Sequence, residues 1–177
     1  TEVLSREAAE TCNTYNMMKL AEYLYRWTKD SCYMDYYERA LYNHILASQD
    51  PETGCKIYFT STYPGHFKVY GTKEDSFWCC TGTGMENPGR YTRAIYARDK
   101  EALYVNLFIA STYTDEKLSL TIDTAFPISE QVKIHINQAL KSEQTLNIRV
   151  PSWVKSPVQV VYNDQVFEQL EAGYISV

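Results

Sequence analysis

The 177-residue sequence lacks any run of about 18 consecutive apolar residues, the length that a bilayer-spanning helix needs, so we expect no membrane partner. It also lacks a cluster of Lys and Arg, and its net charge is -5. Because nucleic-acid binding depends on basic groups set against phosphates, we expect no nucleic-acid partner. The N-terminus shows neither Met nor a charged-then-apolar signal, so we expect the cut edge of a longer protein, and the compartment stays open between export and cytoplasm.

Apolar and aromatic residues are plentiful. The hydrophobic content is 45% and the aromatic content 14%, including 16 tyrosines. This composition supports a real core and suits amphipathic surfaces that face carbohydrate. The chain has five cysteines, an odd number, which fits free or metal-bound thiols better than a disulfide framework.

Two adjacent thiols, Cys79 and Cys80, mark the stretch that carries the chemistry. Neighbouring cysteines seldom form a disulfide with each other, because their Cβ atoms are not suitably directed. Together with Glu10 and Cys12 they could supply the four ligands of a tetrahedral zinc site. The spacing leaves open whether such an ion is structural or catalytic. Neither Cys32 nor Cys55 has a companion ligand nearby in sequence, so both are interpreted as thiols without a role.

The local backbone around these ligands can also be predicted. Glu10 and Cys12 fall on one side if their segment is extended. Cys79 and Cys80 require an irregular backbone to bind one ion together, and Gly82 and Gly84 would tolerate the positive φ of such a bend. A helix that begins there would favour the thiolate through its N-terminal dipole.

In the first hundred residues, apolar side chains mostly recur at intervals of three and four, the spacing of one face of a helix. The predicted helices are about Asn13 to Trp27, with Asn13 or Thr14 as cap, then Met34 to Ala47, and Gly82 to Arg98. Short strands or extended loops are predicted at 56–60 and 66–70.

Beyond Lys100 the spacing of apolar residues changes from the helical period to an alternation of every second residue, which is typical of strands. The predicted strands are Ala102 to Ile109, Lys117 to Ile122, Gln131 to Ile136, Thr145 to Val150, Val158 to Tyr162, Gln165 to Phe167 and the beginning of one at Ala172 to Val177, with a hairpin turn at Asn163 and Asp164. Such short, regularly spaced strands suggest an antiparallel β-sandwich. The sequence therefore predicts an α+β chain with a boundary near 98–102, dividing a helical domain (1–100) from a truncated β-sandwich portion (101–177).

Three further residues each allow two interpretations. Glu38 is either a solvated charge beside Arg39 or part of a sugar-binding cleft, since aromatic residues flank it on both sides. The same ambiguity applies to Tyr58 and His66. A His between Gly and Phe is more often a hydrogen-bonded turn residue than a catalyst.

Four motifs, in this order, resemble glycoside hydrolase family 127 and its relative family 146, the zinc-dependent β-L-arabinofuranosidases. They are ETCNTYNMMKL at 10–20, ERALYNHILA at 38–47, PGHFKVY at 64–70 and SFWCCTGTGMEN at 76–87. The resemblance covers about the first 110 residues well, and the β portion more by position than by motif.

The resemblance implies an (α/α)₆ barrel followed by a β-sandwich, and retaining hydrolysis of β-L-arabinofuranosides. It implies that Glu10, Cys12, Cys79 and Cys80 bind zinc and that Cys79 is the nucleophile. Glu38 and Tyr58 match positions that contact the sugar. The family's general acid/base glutamate lies upstream of Thr1, so this chain is expected to be inactive alone.

Two alternatives remain beside this reading: a non-catalytic module stabilised by zinc, and a carbohydrate-binding or scaffolding piece. The expected partner is a carbohydrate substrate, and the resemblance implies an arabinofuranoside-containing glycan. Part of a barrel would leave apolar helix faces open, so self-association is also expected.

Overall fold

The computed structural model describes residues 4–139 and 144–177, which fall into two compact units. The first unit contains described residues 4–29 and 33–91, and the second contains 30–32, 92–139 and 144–177. The chain is a mixed α+β protein. No helix within these described ranges is both long and apolar enough to cross a membrane. The predicted domain boundary near residue 100 stays a prediction.

Helices dominate the chain up to residue 91. The elements are β1 (Ala9–Glu10), α1 (Thr11–Thr28), α2 (Cys32–Ala40), a π-helical turn (Leu41–Ile45), a 3₁₀ turn (Leu46–Ser48), β2 (Phe59–Thr60), α3 (Cys79–Glu86) and a second 3₁₀ turn (Asn87–Arg90).

Helix α1 confirms the first predicted helix, but it begins at Thr11. Glu10 is the capping residue and makes no side-chain cap, so the predicted cap at Asn13 or Thr14 is wrong. The start is instead determined by tertiary hydrogen bonds: Thr11 donates its amide to the carbonyl of Tyr58 (3.0 Å) and its hydroxyl to that of Ile57 (2.9 Å).

The second predicted helix is confirmed in extent, although it changes to π and 3₁₀ geometry after Ala40. The third is wrong at both ends. Its α-helical part starts at Cys79 rather than Gly82, and Tyr96–Arg98 form a strand. Of the predicted extended segments, only Phe59–Thr60 forms a strand, since 66–70 pairs through a single bridge from Tyr70 to Ile57.

Strands occupy the chain after residue 95. They are β3 (Tyr96–Arg98), β4 (Ala102–Val105), β5 (Ser111–Thr114), β6 (Leu118–Thr124), β7 (Val132–Ala139), β8 (Thr145–Val150), β9 (Val158–Tyr162), β10 (Gln165–Gln169) and β11 (Gly173–Ser176). All the predicted strands in this region are found. Thr145–Val150 and Val158–Tyr162 have the predicted bounds, the others differ at one or both ends, and β3 and β5 are additions. The predicted hairpin turn is confirmed, because Asn163 and Asp164 have φ of 49° and 62°.

These strands form a four-stranded sheet in the order β11-β8-β4-β3, a three-stranded sheet in the order β5-β6-β7, and the β9-β10 hairpin. The prediction of purely antiparallel pairing is wrong in one place: β4 and β8 pair in parallel, with Leu103 opposite Leu146. Thirty-nine residues, 106–144, separate the two strands along the chain, which is ample for the crossover that a parallel pair requires. Local sequence patterns do not reveal such a pairing.

Candidate metal centre

Three elements of the first unit bring the predicted ligands together. Strands β1 and β2 pair antiparallel, with Glu10 opposite Phe59, so that Glu10 ends a strand and Cys12 occupies the first turn of α1. Cys79 and Cys80 occupy the first turn of α3. The cluster therefore gathers at the N-termini of two helices, where the backbone dipoles favour anionic side chains.

The local backbone differs from the prediction. Glu10 and Cys12 are not both on an extended segment, since the helix starts between them. Gly82 and Gly84 do not adopt positive φ; they lie inside α3. No irregular bend is needed, because successive residues in the first turn of a helix project about 100° apart and can both reach one point beside it. Gly84 has a different use: a Cβ there would lie 2.7 Å from Cγ of Lys56.

The donor atoms of Glu10, Cys12, Cys79 and Cys80 all lie within 4.8 Å of one another. The Cys79 sulfur is 4.0 Å from the Cys80 sulfur and 3.8 Å from Oε1 of Glu10. Ligand atoms around a tetrahedral zinc ion, with Zn–S bonds of about 2.3 Å and Zn–O bonds of about 2.0 Å, lie about 3.5–3.8 Å apart. Three sulfurs and one carboxylate at this spacing fit a zinc ion with only a small contraction.

Burial distinguishes the three thiols. Cys80 is 0% exposed and Cys12 is 9% exposed, whereas Cys79 is exposed. Only the Cys79 sulfur, among these three, is therefore open to a molecule approaching from solvent.

The same contrast appears in the pKa values. Burial raises the pKa of the Cys80 thiol to about 12 and also raises that of Cys12. The pKa of Cys79 is lowered, chiefly by the Tyr58 hydroxyl, which can donate to the thiolate. Three thiolates and a carboxylate would place four negative charges together, so the buried thiols stay protonated in the absence of a cation. A bound divalent ion would instead favour the thiolate form.

Of the predicted sugar-contacting residues, the structure brings Tyr58 to the cluster. Its hydroxyl lies 3.4 Å from the Cys79 sulfur, and that contact raises the pKa of Tyr58 to about 12. Glu38 is buried on α2, outside the group of four donors, where its charge contributes to a raised pKa at Tyr42 behind the larger effect of burial. The His66 amide donates to the Tyr63 carbonyl (3.3 Å), so the backbone turns here as predicted. The predicted side-chain hydrogen bond is not seen at Nδ1 of the ring, which is buried without a partner among the described residues.

Thr83 is a residue that the sequence reasoning missed. Its hydroxyl lies 3.3 Å from the Cys12 sulfur. The available signal was helical spacing: had a helix been predicted from Cys79, Thr83 would fall four residues later on the same face. All five cysteines lie within the described residues and none forms a disulfide, with Cys32 and Cys55 outside the donor group.

Comparisons with known proteins identify the family of this chain. The family model described as the GH127 catalytic domain of β-L-arabinofuranosidase matches residues 2–93, and the model of the GH127 middle domain matches residues 102–177. No curated protein matches the chain.

Two solved structures share the fold. A protein described as a glycoside hydrolase superposes with a TM-score of 0.82 at 23% identity, covering 97% of this chain and 31% of that one. A GH127 β-L-arabinofuranosidase from Geobacillus stearothermophilus T6 gives a TM-score of 0.75 at 23% identity, covering 99% and 31%. The chain thus spans about a third of the length of either structure. Because the two family models together match most of its residues, the chain belongs to the GH127 β-L-arabinofuranosidase family of glycoside hydrolases.

Proposed function

We propose that this chain carries the zinc site and the nucleophile of a retaining glycoside hydrolase that acts on β-L-arabinofuranosides. Zinc is held by Glu10, Cys12, Cys79 and Cys80, and Cys79 is the nucleophile. The observation that supports this most directly is the exposure of Cys79 in a donor group whose other two thiols are buried. A purely structural zinc site has no need of an open ligand.

The chemistry proceeds in two displacements. The Cys79 thiolate attacks the anomeric carbon, so that a carbon–sulfur bond forms while the bond to the aglycone oxygen breaks. The departing oxygen takes a proton from a general acid outside the residues assigned above. Water then displaces the sulfur and gives its proton to the conjugate base of that acid, which releases arabinose and regenerates both the acid and the thiolate. Two inversions at one carbon retain its configuration.

The surrounding residues support the thiolate and the sugar. When bound, zinc compensates the negative charge of the donor group and keeps the thiols deprotonated near neutral pH. The Tyr58 hydroxyl, 3.4 Å from the Cys79 sulfur, lies where it would touch a sugar whose anomeric carbon faces that sulfur. A sugar contact for Glu38 is proposed from the family resemblance alone.

The architecture in this proposal is that of the resemblance: the helices of the first unit belong to an (α/α)₆ barrel, and the strands of the second form a β-sandwich. Apolar side chains on the outer side of α1, including Trp27 at 80% exposure, support the expected association with further surfaces or a second copy.

The test uses the protein that contains this sequence and an aryl β-L-arabinofuranoside. We expect Cys79→Ser to lower kcat/KM by about a thousandfold or more, because the covalent route is lost. Cys55→Ser, which removes a thiol outside the donor group, serves as the matched control and keeps its activity. Circular dichroism verifies that both variants fold.

Undiminished turnover by Cys79→Ser would rule out Cys79 as the nucleophile. A wild-type protein that binds zinc through these thiols but hydrolyses no arabinofuranoside would favour the non-catalytic module instead. Early NMR spectra of the product distinguish retention from inversion at the anomeric carbon.

A further inference from the structure

The hydroxyl of Thr83 connects the two helices that carry the thiols. Thr83 lies on α3 and is half-buried, and its oxygen is 3.3 Å from the sulfur of Cys12 on α1. The two residues are 71 positions apart, so only the packing of these helices brings them together.

The same hydroxyl has a second neighbour. It lies 3.4 Å from the backbone carbonyl of Cys80, three residues earlier in the helix. A separation of 3.4 Å is long for a hydrogen bond between two oxygens, whereas the larger sulfur atom accommodates 3.3 Å comfortably. The hydroxyl can thus accept the proton of a neutral Cys12 thiol while it donates weakly to the carbonyl. Once Cys12 is a thiolate, the sulfur offers only lone pairs and becomes the stronger acceptor.

From this geometry we infer that Thr83 is a positioning residue for the metal centre: its hydroxyl donates to the Cys12 thiolate and holds that sulfur at the ion. This inference rests on the zinc site proposed above. A hydrogen bond to a ligand atom fixes the direction of its lone pairs and stabilises its ionised form, which strengthens metal binding. Cys12 benefits in particular, because its buried sulfur has little access to water.

Thr81 provides a matched control on the same helix. Its hydroxyl donates to the carbonyl of Ser76 at 2.8 Å, which is an equally local bond without a sulfur partner. Replacing either threonine with valine removes one hydroxyl from α3 and keeps a β-branched side chain of similar volume. A general loss of helix stability would therefore affect both variants. A loss of metal positioning would affect only Thr83→Val.

The experiment measures the zinc dissociation constant of the protein containing this sequence, by competition with a chromophoric chelator. We expect Thr83→Val to weaken zinc binding about 10- to 100-fold, the usual effect of losing a hydrogen bond to a metal ligand. Thr83→Ser, which keeps the hydroxyl, should bind zinc within about threefold of the wild type, and Thr81→Val should match the wild type.

Replacement of zinc by Co²⁺ gives a second reading, because the thiolate-to-cobalt absorption band responds to hydrogen bonds at sulfur. That band should shift in Thr83→Val and stay in place in Thr83→Ser and Thr81→Val. The inference would be overturned if Thr83→Val kept both the zinc affinity and the cobalt absorption band of the wild type. It would also be overturned if Thr81→Val lost as much zinc affinity as Thr83→Val. Either result would leave the proposed zinc site unaffected. Absence of a thiolate–cobalt band in the wild type would overturn the zinc site and this inference together.

Discussion

The hydroxyl oxygen of Tyr58 lies 3.4 Å from the sulfur of Cys79, while the backbone carbonyl of Tyr58 accepts the amide of Thr11 at 3.0 Å. One residue next to β2 is thus bonded to the start of both thiol-bearing helices. Its backbone contact determines where α1 begins, and its side chain meets the exposed thiol at the start of α3. The position of the candidate nucleophile therefore depends on a segment some twenty residues upstream of it.

The first prediction concerns Tyr58→Phe in the metal-free protein. The Tyr58 hydroxyl is the largest cause of the lowered pKa of Cys79, so its removal should raise that pKa toward the ordinary value of a thiol. At a fixed pH slightly above neutral the thiolate fraction falls, and alkylation by iodoacetamide should slow several-fold. Peptide mass spectrometry after timed alkylation measures the rate at Cys79 specifically.

Tyr63→Phe is the control for this measurement, because Tyr63 is an exposed tyrosine on a loop outside the donor group. It should leave the alkylation rate of Cys79 unchanged. Equal rates in Tyr58→Phe and the wild type across the pH range would show that the hydroxyl does not stabilise the thiolate.

A second prediction compares the two glycines inside α3. A Cβ at Gly82 meets nothing within 4 Å, so Gly82→Ala should raise the free energy of unfolding by about 0.5–1 kcal/mol through helix propensity. At Gly84 the Cβ would lie 2.7–2.9 Å from three carbons of the Lys56 side chain. Gly84→Ala must displace that side chain and disturb its 2.6 Å bond to Gln49, so its gain should be smaller or negative.

Urea denaturation followed by circular dichroism measures both changes. When Lys56→Ala is added, Gly84→Ala should raise the free energy of unfolding as Gly82→Ala does, since the obstructing carbons of the Lys56 side chain are then absent. Equal stabilisation by the two single glycine variants would contradict the close approach of Lys56 to α3.

The third prediction concerns pH and His44. Burial lowers the pKa of His44 below its usual 6.5, and Nδ1 lies 2.8 Å from the Thr14 hydroxyl. In the unfolded chain His44 takes up its proton near pH 6.5, before the folded chain does. Its contribution to stability is therefore complete above pH 6.5, and it is lost as the pH falls from that value toward the lower pKa of the folded state.

His44→Gln tests this prediction, because glutamine keeps a hydrogen-bonding group near Thr14 and does not titrate. The free energy of unfolding of the wild type, minus that of the variant, should decrease between pH 7.5 and pH 5.5. Subtraction removes the titration of the thiols and carboxylates common to both proteins. A constant difference over this range would mean that His44 keeps its ordinary pKa on folding.

The sequence predicted several features because their signals are local. Periodicity indicated α1 and most of the strands, and the dipeptide Asn163-Asp164 indicated its hairpin turn. The glycoside hydrolase family followed from four motifs that can be read along the chain. The donor set of Glu10, Cys12, Cys79 and Cys80 was named from the adjacent thiols and from the family motifs, and the structure gathers their donor atoms within 4.8 Å.

Other features required contacts between distant parts of the chain. Pairing of β1 with β2 brings Glu10 beside Phe59, and the packing of α1 on α3 brings Thr83 to Cys12. The same packing buries Cys12 and Cys80 and leaves Cys79 exposed. The sequence by itself thus determined which residues can bind a metal, because donor chemistry belongs to each side chain. Only the tertiary structure decided which thiol is open to solvent, because burial depends on neighbours supplied by remote segments.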